Sequence, residues 1–441
     1  MGSLSKTNSP STMASPAVLP TPTEKRALIR RPEVFRLLLV ALLAEIAYAV
    51  LNISTMTVYL RDDRHFGEST VGLVLVAFLF IEAVFKSPMG HFADRFGPKL
   101  FMLLGPTMSV GTSLLSLAVP HSSGHPGEVM VFILLRAIDG LGAAMLWPAA
   151  YSAMNEAVDD SERQEAMSLL NLCYMLGIAV AFPLGGAVND LAHVKWAGLI
   201  LAAGMFGAVA VCVGRFIPWF KREKPPGEET NEVGIADFIK SMKQIPSYLI
   251  LSAVTFAGIG FPMAIFKLFP QDQFHLTETQ IGFLILPAAL AMAIASVPMS
   301  KLGERIGRVR AVHLGLGLSF AGMCLIGMGM IFPFMRQVWL LAVGGIPLGI
   351  GFLLTIPAWM ASVSDIDPQR RGTNIGAVMT AQGLGAIVGA PIGSTLYEKL
   401  QPVGVQIGLG HGFGRYAPFM GCAACLLIGW LISLKILREP R

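Results

Sequence analysis

Charged residues are scarce in this sequence. They make up 14% of its 441 residues, whereas soluble domains carry about 25%. Hydrophobic residues make up 54%, and the mean hydropathy is +0.63. A soluble protein of this length needs far more polar residues to cover its surface, so this composition excludes a soluble protein, a disordered chain and a collagen-like fibre. The net charge of +5 does not indicate nucleic-acid binding, because the basic residues cluster between hydrophobic runs.

Cysteine and nucleotide-binding motifs are also sparse or missing. The five cysteines all fall inside hydrophobic runs, so we expect no disulfide. Cys422 and Cys425 have a metal-like spacing, but their apolar surroundings offer no further ligand, and we expect neither a metal nor a cofactor. No glycine-rich phosphate-binding loop is present, which argues against ATP-driven pumping by this chain.

Long hydrophobic runs fill most of the chain. A helix needs about 20 apolar residues to cross a bilayer. Nine uncharged windows meet or approach this length: 100–120, 166–189, 196–214, 244–266, 279–300, 311–335, 337–364, 372–397 and 416–434. Three further windows contain charge: 36–60, 70–90 and 129–154. Barrel strands are short and alternate in polarity, so these continuous runs predict an all-α membrane protein with twelve spans.

The placement of lysine and arginine predicts the orientation. With twelve spans, 24 of the 33 Lys and Arg residues lie on the side of the two termini, and six lie on the opposite side. This bias predicts a multi-pass protein with both termini in the cytoplasm. The plasma membrane or a bacterial inner membrane is the expected location.

Two polar segments divide the chain. Residues 1–31 form a Ser-, Thr- and Pro-rich cytoplasmic tail, which we expect to be disordered. Residues 219–245 form a cytoplasmic linker between two six-helix bundles, at 32–218 and 246–441.

The two halves contain related sequences. The ten residues 88–97 and the ten residues 298–307 share Pro, Met, Arg and Gly at an offset of 210, and each segment follows the second span of its half. Two further proline pairs, Pro148 with Pro357 and Pro183 with Pro391, have offsets of 209 and 208. Duplicated halves that rock about a central site are typical of secondary transporters.

At these motifs the chain resembles the major facilitator superfamily. The loop motif after span two has Gly90, Asp94, Arg95, Gly97 and Lys99, and its second copy has Glu304 and Arg305. Span four has Arg136, Gly140 and Gly142. Span five resembles the motif of the family's drug/proton antiporters through Gly177, Pro183, Gly185 and Gly186, although Phe182 replaces a glycine. The resemblance implies two pseudo-symmetric six-helix halves and alternating access.

The resemblance also implies a cytoplasmic gate. In the family, the first-loop acid contacts the start of span eleven, which here is 367–372. By symmetry, Glu304 is expected to meet the start of span five near Ser161 and Arg163. We therefore expect Asp94, Arg95, Glu304 and Arg305 to form the gate.

A few charges lie inside the predicted spans, where they are costly and therefore indicate function. They are Glu45, Glu82, Arg136 and Asp139, with Lys86 nearer the cytoplasm, and we expect no carboxylate in any span of the second half. At about 1.5 Å per residue, Glu45, Glu82 and Asp139 lie near one level. We predict that Glu45 and Asp139 form a proton-coupling cluster tuned by Arg136. A permanent Arg136–Asp139 pair is the alternative, and Glu82 with Lys86 is expected to be a local ion pair.

Spans one, four, seven and ten line the central cavity in the family. Candidate substrate-binding residues are polar, aromatic or Met side chains, a soft surface that adapts to varied ligands. They are Tyr48, Asn52, Met56, Trp147, Phe256, Met263, Trp359 and Gln382.

These features predict a secondary transporter and not an enzyme. We expect proton-coupled efflux of amphipathic or cationic compounds, because carboxylates beside a soft apolar wall suit such substrates. A symporter or uniporter for a small metabolite is the alternative, and a non-transporting membrane receptor is a third interpretation. The expected partners are a small-molecule substrate, protons and the lipid bilayer, without nucleic acid, and the chain is expected to be a monomer.

Overall fold

The computed structural model describes residues 28–121, 125–159, 162–218, 243, 245–364, 366 and 371–437. Within these residues the regular structure is helical and contains no strand. The first half contains α1 (Pro32–Asp63), α2 (Glu68–Phe96), α3 (Pro98–Ala118), α4 (Pro126–Ala157), α5 (Arg163–Ala192) and α6 (Ala197–Phe216). The second half contains α7 (Pro246–Met263), α8 (Glu278–Ile306), α9 (Arg308–Gly327), α10 (Val338–Ser364), α11 (Arg371–Gln406) and α12 (Gly412–Ile436).

By length and composition, the described part of the chain has up to twelve helices that could cross a membrane, the number predicted. Eleven are long and apolar enough by themselves, and the twelfth is α8 together with the short helix Leu268–Phe274, which meets it at a bend of 112°. The chain continues as helix through lipid because a helix satisfies its own backbone groups there. We call the end of the bundle where α1 begins and α12 ends the proximal end, and the opposite end the distal end.

The first helix is irregular where it approaches the distal end. It is α-helical from Pro32 to Ala49 and then π-helical over Val50–Thr55 and again over Tyr59–Asp63. A π-helical turn shifts the backbone hydrogen bonds and leaves a carbonyl free for another donor, and such turns are frequent at functional sites. The carbonyl of Ser54 accepts a hydrogen bond from the Lys267 Nζ of the second half.

The duplication seen in the sequence has a structural counterpart at the turns after α2 and α8. A single glycine separates α2 from α3 and α8 from α9, and Gly97 and Gly307 have φ angles of 95° and 91°. A side chain is strained at such angles, so glycine is required at both turns.

Each half has its own hydrophobic core. One cluster of buried residues extends from Leu28 to Ile217, and two smaller clusters lie in the second half. The halves meet where α2 packs against α11 and α5 packs against α8.

One expectation about the second half was wrong. The uncharged window of span eleven ends at residue 397, but α11 continues to Gln406 and carries Glu398. Glu278 begins α8 and is 1% exposed, so this half does bring carboxylates to its spanning helices. The windows missed them because each lies just outside an uncharged run. The tail 1–27 and most of the linker lie outside the described residues.

Candidate functional site

A buried polar network ties α1, α3 and α4 together in the first half. Arg136 Nη1 donates to Asn52 Oδ1 at 2.7 Å and lies 3.2 Å from Asp139 Oδ2. Thr112 Oγ1 donates to Asp139 Oδ1 at 3.3 Å, and Asn52 Nδ2 donates to the Tyr48 carbonyl at 3.1 Å. The spacing of Arg136 and Asp139, one helical turn, puts both on the same face of α4.

The network leaves some of its buried groups without a hydrogen bond. Arg136 is 1% exposed, yet its Nε and Nη2 have no hydrogen-bond partner. Asp139 is fully buried, and its Oδ2 also lacks a hydrogen bond, although Arg136 lies within ion-pair distance. Buried polar atoms without partners are costly. Asp139 Oδ2 is therefore a candidate site for a proton, and the two Arg136 donors are candidate sites for a water molecule or a ligand.

Glu45 lies in a second cluster, between α1, α2 and α5. Its side chain is 5% exposed, and no hydrogen bond or ion pair joins it to another described residue. Glu82 and Lys86 of α2 lie nearby, because Tyr48 and Phe78, one turn from Glu45 and Glu82 respectively, have ring centroids 6.5 Å apart. The structure therefore pairs Glu45 with Glu82 and Lys86, and places Asp139 with Arg136 in the separate network.

Glu82 and Lys86 form the ion pair that their spacing predicts. Lys86 Nζ lies 2.9 Å from Glu82 Oε1, and the Lys86 and Glu82 side chains are 46% and 20% exposed, respectively. An ion pair that accessible can exchange partners, whereas the Arg136–Asp139 pair is sealed.

Three aromatic rings of α4 and α5 lie beside these carboxylates. The ring centroids of Trp147 and Tyr174 are 5.3 Å apart, and those of Trp147 and Tyr151 are 6.3 Å apart. Tyr174 lies one turn before Gly177, the α5 residue that meets Glu45. Tyr151 lies one turn after Pro148, the α4 residue that meets Gly90 of α2. We call the set Glu45, Glu82, Lys86, Trp147, Tyr151 and Tyr174 the α2 carboxylate cluster. Carboxylates next to aromatic faces attract organic cations.

The other predicted substrate-binding residues are dispersed. Tyr48 and Met56 pack inside the first half, where the Tyr48 hydroxyl accepts a hydrogen bond from Ser109 Oγ at 3.2 Å. Trp359 is 1% exposed in a core cluster of the second half. Phe256 is half-buried, Gln382 is buried with Nε2 lacking a partner, and Met263 is 42% exposed at the distal end of α7.

The halves are joined at the distal end by a buried ion cluster around Glu278. Its carboxylate accepts from Lys267 Nζ at 2.6 Å within the second half. From the first half it accepts from Lys195 Nζ at 2.8 Å and from Asn189 Nδ2 at 3.0 Å. Burial tends to lower the pKa of Lys195, but the hydrogen bond and charge of Glu278 outweigh it and raise that pKa above its ordinary value.

A second ion cluster joins the halves around Asp272. Arg61 Nη1 of α1 donates to both carboxylate oxygens of Asp272, at 2.8 and 2.9 Å, and Arg61 Nη2 donates to Gln271 Oε1. Tyr397 donates its hydroxyl to the same carboxylate at 2.6 Å, and Arg415 donates to the Asp272 carbonyl. The bent entry into α8 is thus held against α1 by charge-assisted hydrogen bonds.

Two more carboxylates cap helices of the opposite half. Glu398 Oε2 of α11 accepts from the backbone N–H of Ser69 at 2.9 Å, and α2 has no side-chain cap of its own. Asp190 Oδ2 of α5 accepts from the backbone N–H of Thr279, at the start of α8, at 2.8 Å. Both satisfy a donor that the helix cannot use internally and lie at the positive end of the helix dipole. We call this reciprocal pair the trans caps.

The fifth-span motif lies where α5 packs against α1 of its own half and against α8 of the other half. A Cβ on Gly177 would lie 2.6 Å from the Glu45 Cβ, and one on Gly186 would lie 2.5 Å from the Glu278 carbonyl oxygen. These glycines therefore allow α5 to approach Glu45 and the distal ion cluster closely.

The predicted gate residues lie at the proximal ends of α2 and α8. The side chains of Asp94 and Glu304, and their expected contacts at 161, 163 and 367–370, lie outside what the structure describes. Arg95 and Arg305 are at least partly exposed, and the Arg95 guanidinium lies 5.4 Å from the centre of the Phe96 ring. The gate assignment remains a prediction.

Sequence reasoning missed the distal contacts. Lys267 and Glu278 each lie just outside an uncharged window, so neither enters a predicted span. The signal available was the pairing of isolated acids and bases at the distal ends of several spans. Sequence does not show which half each partner joins.

Comparisons with known proteins agree with this architecture. The profile of the Major Facilitator Superfamily matches residues 37–266 and 248–441. Multidrug resistance protein 2 of Bacillus subtilis (strain 168) is 23% identical over 346 residues, covering 76% of this chain and 81% of that protein. The crystal structure of the nucleoside transporter NupG superposes with a TM-score of 0.70 at 13% identity, covering 92% of this chain and 100% of that one. A bacterial homologue of the human lysosomal transporter Spinster, solved inward-facing and unoccupied, gives a TM-score of 0.72 at 15% identity, with 93% and 100% covered.

Proposed function

Because the chain belongs to the major facilitator superfamily, we propose that it is a proton-coupled exporter of amphipathic or cationic compounds. It is a multi-pass membrane transporter with the twelve-helix fold of that family, and it is not an enzyme. The direction of transport, the coupling ion and the substrate class are the parts that we propose.

The observation that carries this proposal is the buried Glu45 side chain, which meets α5 at Gly177, one helical turn from Tyr174. Glu45 is 5% exposed and has no hydrogen-bonding or ion-pair partner among the described residues. A buried carboxylate without a partner is costly when ionised, so it favours taking up either a proton or a cation. Competition between the two for one carboxylate would exchange protons for cationic substrate.

Arg136 and Asp139 are proposed as the second part of the coupling. Arg136 hydrogen-bonds to Asn52 on α1, the helix that also carries Glu45. A change of charge at Asp139 would weaken its pairing with Arg136 and so loosen the hold of α4 on α1. The Arg136 and Asp139 atoms that lack a hydrogen bond favour this role over that of a permanent structural pair.

We propose that the described conformation is open toward the cytoplasm. Two ion clusters and the trans caps hold the distal end closed. In the opposite conformation these contacts would separate, and Asp94, Arg95, Glu304 and Arg305 would close the proximal end. In this orientation both termini lie in the cytoplasm, and the membrane is a plasma membrane or a bacterial inner membrane. The family relative named a multidrug resistance protein supports efflux.

Flux into proteoliposomes under an imposed pH gradient tests the proposal. The full-length protein is expected to move an amphipathic cation in the direction opposite to the flow of protons down their gradient. Glu45→Gln should abolish gradient-driven flux, whereas Glu33→Gln, the same change in the exposed first turn of α1, should not. Flux that ignores the pH gradient, or coupling unchanged in Glu45→Gln, would exclude proton coupling through Glu45.

The second candidate is a symporter or uniporter for a small anionic metabolite. One observation favours it: Arg136 has two buried donors without partners, and a guanidinium binds carboxylates. Uptake of organic anions with no movement of cations would support this function, and the absence of any flux would favour a membrane receptor.

A further inference from the structure

The α2 carboxylate cluster contains its own cation. Glu45 and Glu82 are two carboxylates, and Lys86 supplies one ammonium group, 2.9 Å from Glu82. Glu45 lies one helical turn from Tyr48, and Glu82 lies one turn from Phe78. The ring centroids of Tyr48 and Phe78 are 6.5 Å apart, so Glu45 and the Glu82–Lys86 pair lie on neighbouring turns of α1 and α2. With all three groups ionised, the cluster has one uncompensated negative charge.

That negative charge is best placed on Glu45. Glu82 has Lys86 as a direct partner, whereas Glu45 is 5% exposed and has no partner among the described residues. Tyr174 lies one turn from Gly177, which meets Glu45, and its ring packs against Trp147 at a centroid distance of 5.3 Å. A bound organic cation would therefore find one free carboxylate and a π surface.

We propose that Lys86 is a resident counter-ion that limits the site to ligands carrying one positive charge. This inference rests on the proposed transport of cations and names the residue that sets the charge of the substrate. A dication would bring one charge more than the site can neutralise, and burying an uncompensated charge is unfavourable. Without Lys86 the two carboxylates would accept two positive charges at once.

The alternative for Lys86 is a purely local role, in which the pair only stabilises α2. Exposed pairs at this spacing contribute little to stability. A purely local role predicts no change in which ligand binds, so charge preference separates the two explanations.

Two ligands of similar shape and different charge test the proposal. They are 1-methyl-4-phenylpyridinium, with one positive charge, and 1,1′-dimethyl-4,4′-bipyridinium, with two. Binding to the purified full-length protein in nanodiscs is measured by calorimetry for each. The wild-type protein is expected to prefer the singly charged ligand.

Lys86→Gln should shift the affinity ratio toward the doubly charged ligand by about tenfold or more, as expected for one unit charge at an effective dielectric constant of about 20. Lys86→Arg keeps the charge and should keep the ratio. Lys435→Gln removes one lysine charge from the exposed last turn of α12 and should also leave the ratio unchanged.

Two further variants separate charge from folding. Glu82→Gln leaves Lys86 to neutralise Glu45, so affinity for the singly charged ligand should fall by about tenfold or more. The double variant Glu82→Gln with Lys86→Gln restores one net negative charge and should recover that affinity. A structural role for the pair predicts no such recovery.

The outcomes distinguish the two levels of the proposal. If wild type binds the singly charged ligand but the ratio stays the same in Lys86→Gln, the counter-ion role is wrong and the proposed function stands. Failure of the double variant to recover binding also overturns the counter-ion role. If neither wild type nor any variant binds either cation, both the cation function and this inference fail.

Discussion

Removing the trans caps tests what holds the distal end closed. Asp190→Ala and Glu398→Ala delete the carboxylates that accept from the Thr279 and Ser69 backbone N–H groups of the opposite half. Because these bonds require the halves to be in contact, their loss raises the free energy of the distally closed conformation alone. The expected result is a shift toward the distally open conformation.

The size of the shift follows from helix capping. Replacing a capping side chain by alanine costs about 0.5–2 kcal/mol, typically about 1. The two caps share no partner and lie at different helix pairs, so their effects should add to about 2 kcal/mol. At 1.4 kcal/mol per factor of ten, the ratio of open to closed protein should rise roughly thirtyfold in the double variant.

Distances between spin labels across the distal end measure this ratio. Exposed His125 and Val405, one in each half, are suitable labelling sites in a cysteine-free background. Thr277→Ala is the matched control, because Thr277 caps the same helix α8 from within its own half and accepts from Gln280 N in a capping box. That cap should persist in both conformations. A distance distribution that is the same in the double variant, the control and the wild type would refute the role of the trans caps.

Three further changes test the packing and the charges. Gly177→Ala should destabilise the contact of α5 with α1 by about 1–3 kcal/mol, because the new methyl group meets Glu45. Gly204→Ala is the control, because its methyl group faces open space and should leave stability unchanged. Thermal unfolding in detergent measures both. Arg64→Met removes an ion-pair partner, 3.2 Å away, of buried Glu128, and should lower the free energy of unfolding by about 3–5 kcal/mol in the same measurement. A decrease below about 1 kcal/mol would show that this pair behaves like an exposed one. The pKa of Lys195 is raised, so its ion pair with Glu278 is intact at neutral pH, and its contribution to stability is lost only as the pH rises through that pKa. Lys195→Met should therefore change the flux without changing the pH profile of the flux near neutrality. A changed profile would contradict this.

The fold was predictable because it depends on features that sequence displays directly. Continuous runs of about 20 apolar residues form helices in a bilayer, and the number of runs gives the number of spans. The recurrence at an offset of 210 revealed the two halves, and Gly97 and Gly307 show why the motif needs its glycines. The π-helical segments of α1 were not predictable, because they depend on the partners that Lys267 and the neighbouring helices provide.

The candidate site was predictable only in part. Intramembrane charge singled out Glu45, Arg136 and Asp139. Their depth along the helices, however, did not show how each helix is rotated about its axis, and so which neighbours each side chain faces. Glu45 and Asp139 lie at a similar estimated depth, yet Glu45 faces α2 and α5 while Asp139 faces α3. Packing between helices decides which acids share a charge partner, and Tyr174 and Tyr151 enter the cluster for the same reason.

The trans caps extend the internal repeat to the distal end. Asp190 and Glu398 are 208 residues apart, the offset of Pro183 and Pro391, and Ser69 and Thr279 are 210 apart, the offset of the loop motif. The duplicated positions thus make the same contact twice, α11 onto α2 and α5 onto α8. A comparison of identical letters overlooks these pairs, because Asp is matched with Glu and Ser with Thr, while the physical role is kept as a carboxylate and a backbone donor. Since the two contacts are equivalent, the distal end closes in the same way in each half. Breaking either cap alone should therefore raise the free energy of the closed conformation by about half as much as breaking both.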